Sequence, residues 1–422
     1  MRREADGQMR SEIDVLVVGG GVIGVAACEA LARRGRAVVL VEGGAIGKGC
    51  SYGNAGLVVP SHAVPLASPG ALGDGLRWLL RRDSPFYVAP RLEPELALWL
   101  FRFWRAARPE RVRRAIPALR DLGRASQARY RELARSFDFG YEERGWTFLF
   151  RDGRALAAAA AEARLLAEFG IASEVLDGAS AHARVPEALP GLAGALVYPE
   201  DAQLVPDQFV RVLARLAQGA GAELRPATPV LRLERNGHSI ARVVTAAGTL
   251  RPREVVLAAG SWSARLARQV GVRVPVQPAR GYSLTLPAPG RPSAAPLYLT
   301  ERKVALTRWE GALRASGTLE LAGLDAPVDR RRVAAIARAV PEYLAGFADF
   351  SGVEPWAGLR PASPDGLPII GRSRRVANLI VATGHGMLGM TQGPATGELV
   401  ARIVCDEPAS VDLAPFGLER FV

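Results

Sequence analysis

Apolar residues in this chain fall into two rhythms. Val15–Val18, Val38–Val41 and the runs within 253–258 and 378–382 are apolar at nearly consecutive positions, as strands buried on both faces require. Helical spacing follows Gly21 as far as Arg34 and returns at 153–169, closed by Gly170. It recurs at 206–219, entered through Pro206, at 330–344 and at 394–405. Between these lie β-branched or alternating stretches that predict strands: 58–62, 146–150, 223–225, 230–234, and 240–245 beyond the turn Asn236-Gly237. Residues 275–286 and 296–318 predict an antiparallel sheet, and 164–190 a small αβ element. Residues 70–137 are helical in pattern, with Pro85, Pro90, Pro94, Pro109 and Pro117 as breaks or first-turn residues. No tandem repeat is present.

The first two runs flank Gly19-Gly20-Gly21-Val22-Ile23-Gly24 and end at Glu42, which is the strand, glycine turn, helix, strand and acid of a dinucleotide-binding βαβ unit. Gly19 permits the tight turn, Gly21 lets backbone approach a pyrophosphate, and Gly24 lets the helix pack on the strand. The helix N-terminus then faces the phosphates. Glu42 can accept hydrogen bonds from a ribose 2′-OH and would repel a 2′-phosphate, so NADP is excluded while NAD and FAD both remain.

Composition narrows the partners. The chain has 422 residues, a 49% apolar and 23% charged make-up and a formal net charge of +12. That is core enough for two or three domains of a soluble enzyme. The arginines are spread along the chain, and no RNA-recognition motif or Lys/Arg run supports nucleic acid as a partner. Cys28, Cys50 and Cys405 form no CxxC pair, so neither a disulfide framework nor a metal site is expected. The polar opening MRREADGQMR lacks the apolar region of a signal peptide, and no apolar run is long enough to span a bilayer. A cytoplasmic location follows, or a peripheral one on the inner face of the membrane. Trp78, Phe86, Tyr87, Trp99, Phe101, Phe103 and Trp104 interleave with arginines. They read as amphipathic helices with aromatics turned inward; an interfacial segment on anionic lipid is the alternative.

Three further stretches invite a ligand. The loop 43–56 is glycine-rich and offers Ser51 and Asn54 for hydrogen bonds. Ala258-Ala259-Gly260-Ser261-Trp262 and Thr383-Gly384-His385-Gly386-Met387-Leu388-Gly389 each carry a strand through glycine into a helix. The chain thus leaves its nucleotide-binding part and returns at the other end, which suits the long, buried FAD.

These residues, with SYGNAGLVVPSHAVPLASPGAL, VVLAAGSWSARLA, PARGYSLTL, GLRPASPDGLPIIG and NLIVATGHGMLGMTQGPATGELVA, resemble the FAD-dependent oxidoreductases of the D-amino acid oxidase family. Within it they are most similar to the small subunits of bacterial D-amino acid dehydrogenases. The resemblance implies an α/β fold: a Rossmann-like FAD-binding domain of the glutathione-reductase/PHBH-like type plus an α+β substrate domain with a large mixed or antiparallel sheet. Both would be discontinuous, the first over 11–70, 200–274 and 355–422, the second over 71–199 and 275–354 with a helical segment at 71–137.

By the same resemblance Gly19, Gly20, Gly21, Val22, Ile23, Gly24 and Glu42 hold the ADP half, with Val230 near the adenine. Ser51, Asn54, Ala55 and Gly56 lie along the flavin, as do Ala259, Gly260 and Trp262. Gly384, His385, Gly386 and Gly389 approach it from the C-terminal side. Met387 and Met390 stand where some relatives carry a flavin-linking cysteine, so the FAD is expected to be non-covalent.

Arg360 of the GLRP stretch is implied to bind the substrate carboxylate with its planar fork, unless it pairs with Asp365 instead. Tyr282 and Tyr298 are candidate pocket hydroxyls, and His62 a further polar candidate. The implied reaction is oxidative deamination of a D-amino acid. Hydride passes from Cα to flavin N5, giving a 2-oxo acid and ammonia, and electrons pass to a quinone or respiratory acceptor. No catalytic base is evident. Three rival readings stay open: an enzyme for cyclic or N-substituted amino acids (D-proline, cis-4-hydroxy-D-proline, glycine or sarcosine), a non-catalytic or RNA-modifying flavoprotein, and a plain NAD-dependent dehydrogenase. A homo- or hetero-oligomer is compatible with all of them.

Overall fold

A computed structural model describes residues 12–70, 84–288, 295–346 and 348–421. Trp78 and its neighbouring arginines, and the polar N-terminus, lie outside them. In chain order the first sheet takes β1 (Glu12–Val18), then helix α1 (Val22–Ala32) and β2 (Val38–Val41). A short β3 (Leu57–Val58) and β4 (Phe86–Val88) precede two helices, α2 (Pro94–Ala106) and α3 (Pro109–Ala134). Next come β5 (Trp146–Phe150), α4 (Gly153–Ala167), β6 (Glu174–Asp177), α5 (Gly178–Arg184), β7 (Gly194–Tyr198), β8 (Ala202–Gln203) and α6 (Pro206–Gly219). The chain then re-enters the first sheet as β9 (Glu223–Arg225), β10 (Val230–Asn236), β11 (Ser239–Thr245) and β12 (Gly248–Leu257), followed by α7 (Ser263–Arg268). The last part holds β13 (Gln277–Ala288), β14 (Leu297–Leu299), β15 (Val304–Trp309), β16 (Gly311–Leu321), α8 (Arg330–Ala339), β17 (Trp356–Ala362), β18 (Ile369–Arg372), β19 (Leu379–Thr383) and α9 (Gly389–Val404).

Two large sheets result. The first has a parallel core ordered β9-β2-β1-β12-β19, with β18 antiparallel on β19 and the meander β10–β11 on β12. Every residue of β2 and β19 is buried, which is why both are apolar throughout. The second sheet runs β17-β13-β16-β15-β14-β5-β7-β6, with β4 on β16. It is mostly antiparallel. Strand β17 therefore belongs to the second sheet, whereas a boundary at 355 put it with the nucleotide-binding part. The reason is register: Gln277–Ser283 pairs with 362–356 residue by residue.

Helix α9 returns to the first sheet and packs on α1 through two glycines. A Cβ on Gly393 would sit 2.8 Å from Val22 Cγ2, and one on Gly397 would sit 2.4 Å from the Ala26 carbonyl carbon. The chain's two ends can touch only because these side chains are absent. Helix α9 starts at Gly389, five residues before the expected Pro394, which lies inside it. Pro394 has no N–H for the Met390 carbonyl one turn back, and the Tyr130 hydroxyl of α3 donates to that carbonyl instead. The next amide, Ala395, donates to Ser126 Oγ at 3.0 Å. Pro117 likewise sits inside α3 rather than breaking it, while Pro94 and Pro109 open their helices as the sequence predicts.

The aromatics of α2 divide between two faces. Trp99 and Phe103 are buried, but Leu98, Phe101 and Trp104 are 44%, 51% and 56% exposed, so the expectation that all pack inward holds for one face only.

Gly397→Ala is expected to lower the unfolding free energy by about 1–3 kcal/mol through forced separation of α1 and α9. Gly153→Ala, with nothing within 4 Å of the added carbon, serves as control and should leave the denaturant midpoint unchanged or slightly raised.

Candidate active site

The crevice at the carboxyl end of β1 lies where the sheet order turns, with β2 on one side and β12 on the other. Gly19 takes φ +112°, and a Cβ there would fall 2.5 Å from the Ala258 carbonyl oxygen. A Cβ on Gly24 would fall 1.9 Å from the Gly19 oxygen. Gly21 is the N-cap of α1 and gives no side-chain cap; Ser51 Oγ accepts from Val22 N–H at 2.9 Å. The Glu42 carboxylate accepts the N–H groups of Gly20 at 2.6 Å and Gly44 at 2.8 Å. Thr228 N–H donates to the Glu42 main-chain carbonyl, two residues before Val230.

The loop after Glu42 is held from inside the protein. Asn54 Nδ2 donates to the Ser51 carbonyl, and its Oδ1 accepts from Gly56 N–H at 2.7 Å. Ser51 and Asn54 thus spend these hydrogen bonds on α1 and on the loop itself. Ala55 lies between them and the strained Gly56, whose φ is +68° and whose absent Cβ would meet the Leu204 oxygen at 2.2 Å. Arg314 of β16, which no sequence signal marked, donates to the carbonyls of Tyr52 and Asn54 at 3.2 and 2.7 Å and lies over the Trp309 ring. Trp356 wedges between Gly53 and Gly358, where a Cβ on either would clash with its ring.

On the far side, Gly260 takes φ +53°. Thr383 Oγ1 donates to its carbonyl at 3.0 Å and Ser261 Oγ donates to the Leu359 carbonyl, which ties the Ala259–Trp262 turn to β19 and β17. Trp262 is 48% exposed and lies off the cleft. Gly384 and Gly386 take φ +80° and +52°, and Gly389 begins α9.

A cleft of about 460 Å³, its open mouth included, brings together His62, Arg360, Ser363, Gly384, His385, Gly386 and Met387, with Val64, Leu66, Leu319 and Leu388 as apolar wall. The Arg360 guanidinium lies flat over Gly281, where a Cβ would fall 2.1 Å from Nη1. Its Nη1 donates to the Thr318 carbonyl at 2.7 Å. No carboxylate pairs with it among the described residues; Asp365 is engaged by Arg420 at 2.8 and 3.1 Å. Burial draws the Arg360 pKa below its ordinary value, opposed by Cys50 and Tyr298. A half-buried guanidinium with no carboxylate paired to it among the described residues is a site that favours an anion.

Two of the four substrate-site expectations, Arg360 and His62, line the cleft, and Tyr298 lies behind it. His62 lines the cleft, its ring centroid 5.9 Å from Trp146; burial, then the Lys303 charge, pushes its pKa down to about 4, so the imidazole is neutral. Tyr298 packs on Trp146 and Phe148 within electrostatic range of Arg360. Tyr282 does not belong. It is 1% exposed in the core behind the sheet, and its hydroxyl donates to Glu320 at 2.6 Å. Side chains alternate along β13, so Ala279 and Gly281 face Arg360 and Tyr282 faces away.

The residues suit FAD. The crevice offers a helix N-terminus and glycines for a pyrophosphate. In the cleft, Ser363 Oγ and His385 Nδ1 are buried without partners, as groups awaiting a polar ring edge would be. His385 Nε2 lies 2.9 Å from Thr396 Oγ1, and burial lowers its pKa to about 3.

A family model for FAD dependent oxidoreductases (DAO) matches residues 14–403. The chain belongs to that family. It is 37% identical to a D-amino acid dehydrogenase of Methylobacterium radiotolerans over 414 residues, covering 95% of this chain and 98% of that protein. A D-amino acid dehydrogenase of Paramagnetospirillum magneticum is 36% identical, with 96% and 98% covered. Among solved structures, the glycine oxidase of Geobacillus kaustophilus aligns at TM-score 0.74 and 26% identity, covering 97% of this chain and 99% of that one. The glycine oxidase of Bacillus cereus shares the fold at TM-score 0.74 and 22% identity, with 94% and 96% covered. The family's cofactor is FAD, which removes the NAD alternative for the Gly19–Glu42 unit. No helix of the described residues is long and apolar enough to cross a membrane.

Gly24→Ala is expected to lower the flavin-to-protein absorbance ratio of the purified protein by more than about half, because the new carbon collides with the turn that faces the pyrophosphate. Gly44→Ala, whose added carbon would find only Glu42 Oε1 at 3.8 Å, should keep its flavin.

Proposed function

We propose that the protein is an FAD-dependent D-amino acid dehydrogenase that oxidises the Cα–N bond of its substrate and passes the electrons to a membrane quinone. The single observation that carries this is the uncompensated guanidinium of Arg360 in a cleft walled by the Gly384–Leu388 turn. The activity for which the relatives are named, D-amino acid dehydrogenase, agrees with it. Bound FAD would supply the two-electron oxidation. Gly19, Gly21, Gly24 and Glu42 would hold its ADP half, and the 384–389 turn its ring.

The chain's own residues then have defined tasks. Arg360 takes both carboxylate oxygens and so fixes Cα in the cleft. Val64, Leu66, Leu319 and Leu388 exclude water and receive the side chain. His62 and His385 are neutral at pH 7 and add no competing charge near the carboxylate site. The substrate would give up its Cα hydrogen together with two electrons, and one proton from its nitrogen. The resulting imine takes up water and releases ammonia and a 2-oxo acid.

The quinone reading draws on α2. Leu98, Phe101 and Trp104 recur every third residue on its outer face beside the exposed Arg105 and Arg108. The inner face reaches the cleft, with Trp99 Nε1 donating to the Ala362 carbonyl at 3.0 Å. Apolar side chains flanked by cations suit the surface of an anionic bilayer, which would place the protein peripherally on the inner membrane face.

Anaerobic D-alanine is expected to bleach the flavin absorbance, and aerobic turnover to release little peroxide. Bleaching by glycine or sarcosine alone would replace this assignment, and a salt-dependent shift with tRNA and no amine turnover would abolish it. Arg360→Lys keeps the charge and loses the fork; kcat/KM should fall on the order of 100-fold, mostly through KM.

Vesicles containing phosphatidylglycerol should sediment the wild type. Phe101→Ser/Trp104→Ser should bind on the order of tenfold less while reducing a soluble dye at the wild-type rate. Equal sedimentation with neutral phosphatidylcholine would count against the anionic surface.

A further inference from the structure

Asp201 is fully buried at the start of β8, and no Lys or Arg pairs with it among the described residues. Its carboxyl accepts the Ser61 N–H at 3.2 Å and contacts the Ser61 hydroxyl closely. Its main-chain carbonyl accepts Gly145 N–H at 2.9 Å. Ser61 immediately precedes His62, which lines the cleft, and Gly145 immediately precedes Trp146, whose ring packs against that of His62 at 5.9 Å between centroids. Trp146 in turn packs on Tyr298, 5.4 Å between centroids, which senses the charge of Arg360. One buried residue therefore anchors both His62, in the wall of the cleft, and the Trp146 ring that supports it.

We propose that Asp201 is a positioning residue for the substrate cleft: its carboxyl, as the neutral acid, fixes His62 through Ser61, its main-chain carbonyl fixes the supporting Trp146 through Gly145, and ionisation of the carboxyl loosens the His62 side. In the neutral form Oδ1 accepts the Ser61 amide, and one hydrogen is shared between Oδ2 and Ser61 Oγ. Ionised, the carboxylate has no cation to replace the water it lost. The charged and titratable groups around it are unfavourable or remote. Glu200 is its sequence neighbour and pairs outward with Arg124 of α3 at 3.2 Å; Tyr198 of β7 lies in electrostatic range; His62 stands beyond Ser61 and is neutral. Burial is the main cause that raises the Asp201 pKa from 3.8 to about 7, against the lowering effect of the Ser61 bonds. The folded protein thus holds this proton over a range in which the unfolded chain has released it. The stability it contributes is complete below pH 3.8 and is lost as pH rises to about 7.

The inference rests on the Arg360 cleft being the substrate site, so the test has one arm that needs no substrate. In flavin-loaded enzyme, Asp201→Asn keeps an acceptor for the Ser61 amide and cannot ionise. The melting temperature of Asp201→Asn minus that of wild type should rise from pH 5 to 7 and level off above. The ratio of wild-type to Asp201→Asn kcat/KM for D-alanine should fall about tenfold between pH 6 and 8, because the competent fraction falls that much one unit above the midpoint. Taking the ratio cancels ionisation of the substrate amine. Ser61→Ala, a milder change, should raise KM about threefold or more with kcat within about twofold. A melting difference that does not vary with pH overturns the proposal whatever the substrate proves to be. A flat kcat/KM ratio, or equal loss of kcat and KM in Ser61→Ala, overturns the link to the cleft.

Discussion

The structure depends on the close contact of α1 with α9. Residues 22–32 and 389–404 are separated by most of the chain, yet their backbones meet at Gly393 and Gly397 with no room for a methyl group. Helix α1 carries the glycine turn that follows β1, and α9 begins at the glycine turn that follows β19. Packing the two helices side by side therefore brings both turns to the carboxyl edge of one parallel sheet. Tyr130 and Ser126 of α3 secure the arrangement by meeting the backbone groups that Pro394 leaves without helical partners.

Charge is handled differently at the two ends of the cleft. At the nucleotide end, Glu42 is satisfied by backbone amides and the positive end of a helix is left to face phosphates. At the other end Arg360 lies half-buried against Gly281 and donates to one carbonyl, with no acid paired to it among the described residues. Another arginine, the buried Arg314, donates to the carbonyls of Tyr52 and Asn54 and to the Thr285 hydroxyl. The contrast between two arginines of the same sheet, one occupied and one open, separates a structural role from a binding role.

Much of this was legible in the sequence because it depends on neighbours along the chain. Short consecutive apolar runs became the fully buried parallel strands they predict, and Pro206 opens its helix as expected. The misreadings all involve a partner far away in sequence. Pro117 and Pro394 looked like helix ends, but α3 and α9 continue through them, and at Pro394 side chains of α3 take over the displaced hydrogen bonds. Tyr282, a candidate pocket hydroxyl, lies one residue from Gly281, and the pleat turns it to the opposite face. Arg314 gave no signal at all, since nothing near it in sequence tells where the 43–56 loop will lie.

The sequence by itself determined the cofactor unit, because the turn from Gly19 to Gly24 and the acid at Glu42 act through backbone geometry within a few dozen residues. It also determined that the chain must return to that unit, through the glycine turn at 384–389. Only the tertiary structure decided which charged side chain is left without a partner. Asp365 stands five residues from Arg360 yet is held by Arg420, and Asp201 reaches Ser61 across 140 residues. Pairing of buried charges is set by where the sheets place them, and strand register across distant segments is not written in any local stretch of the chain.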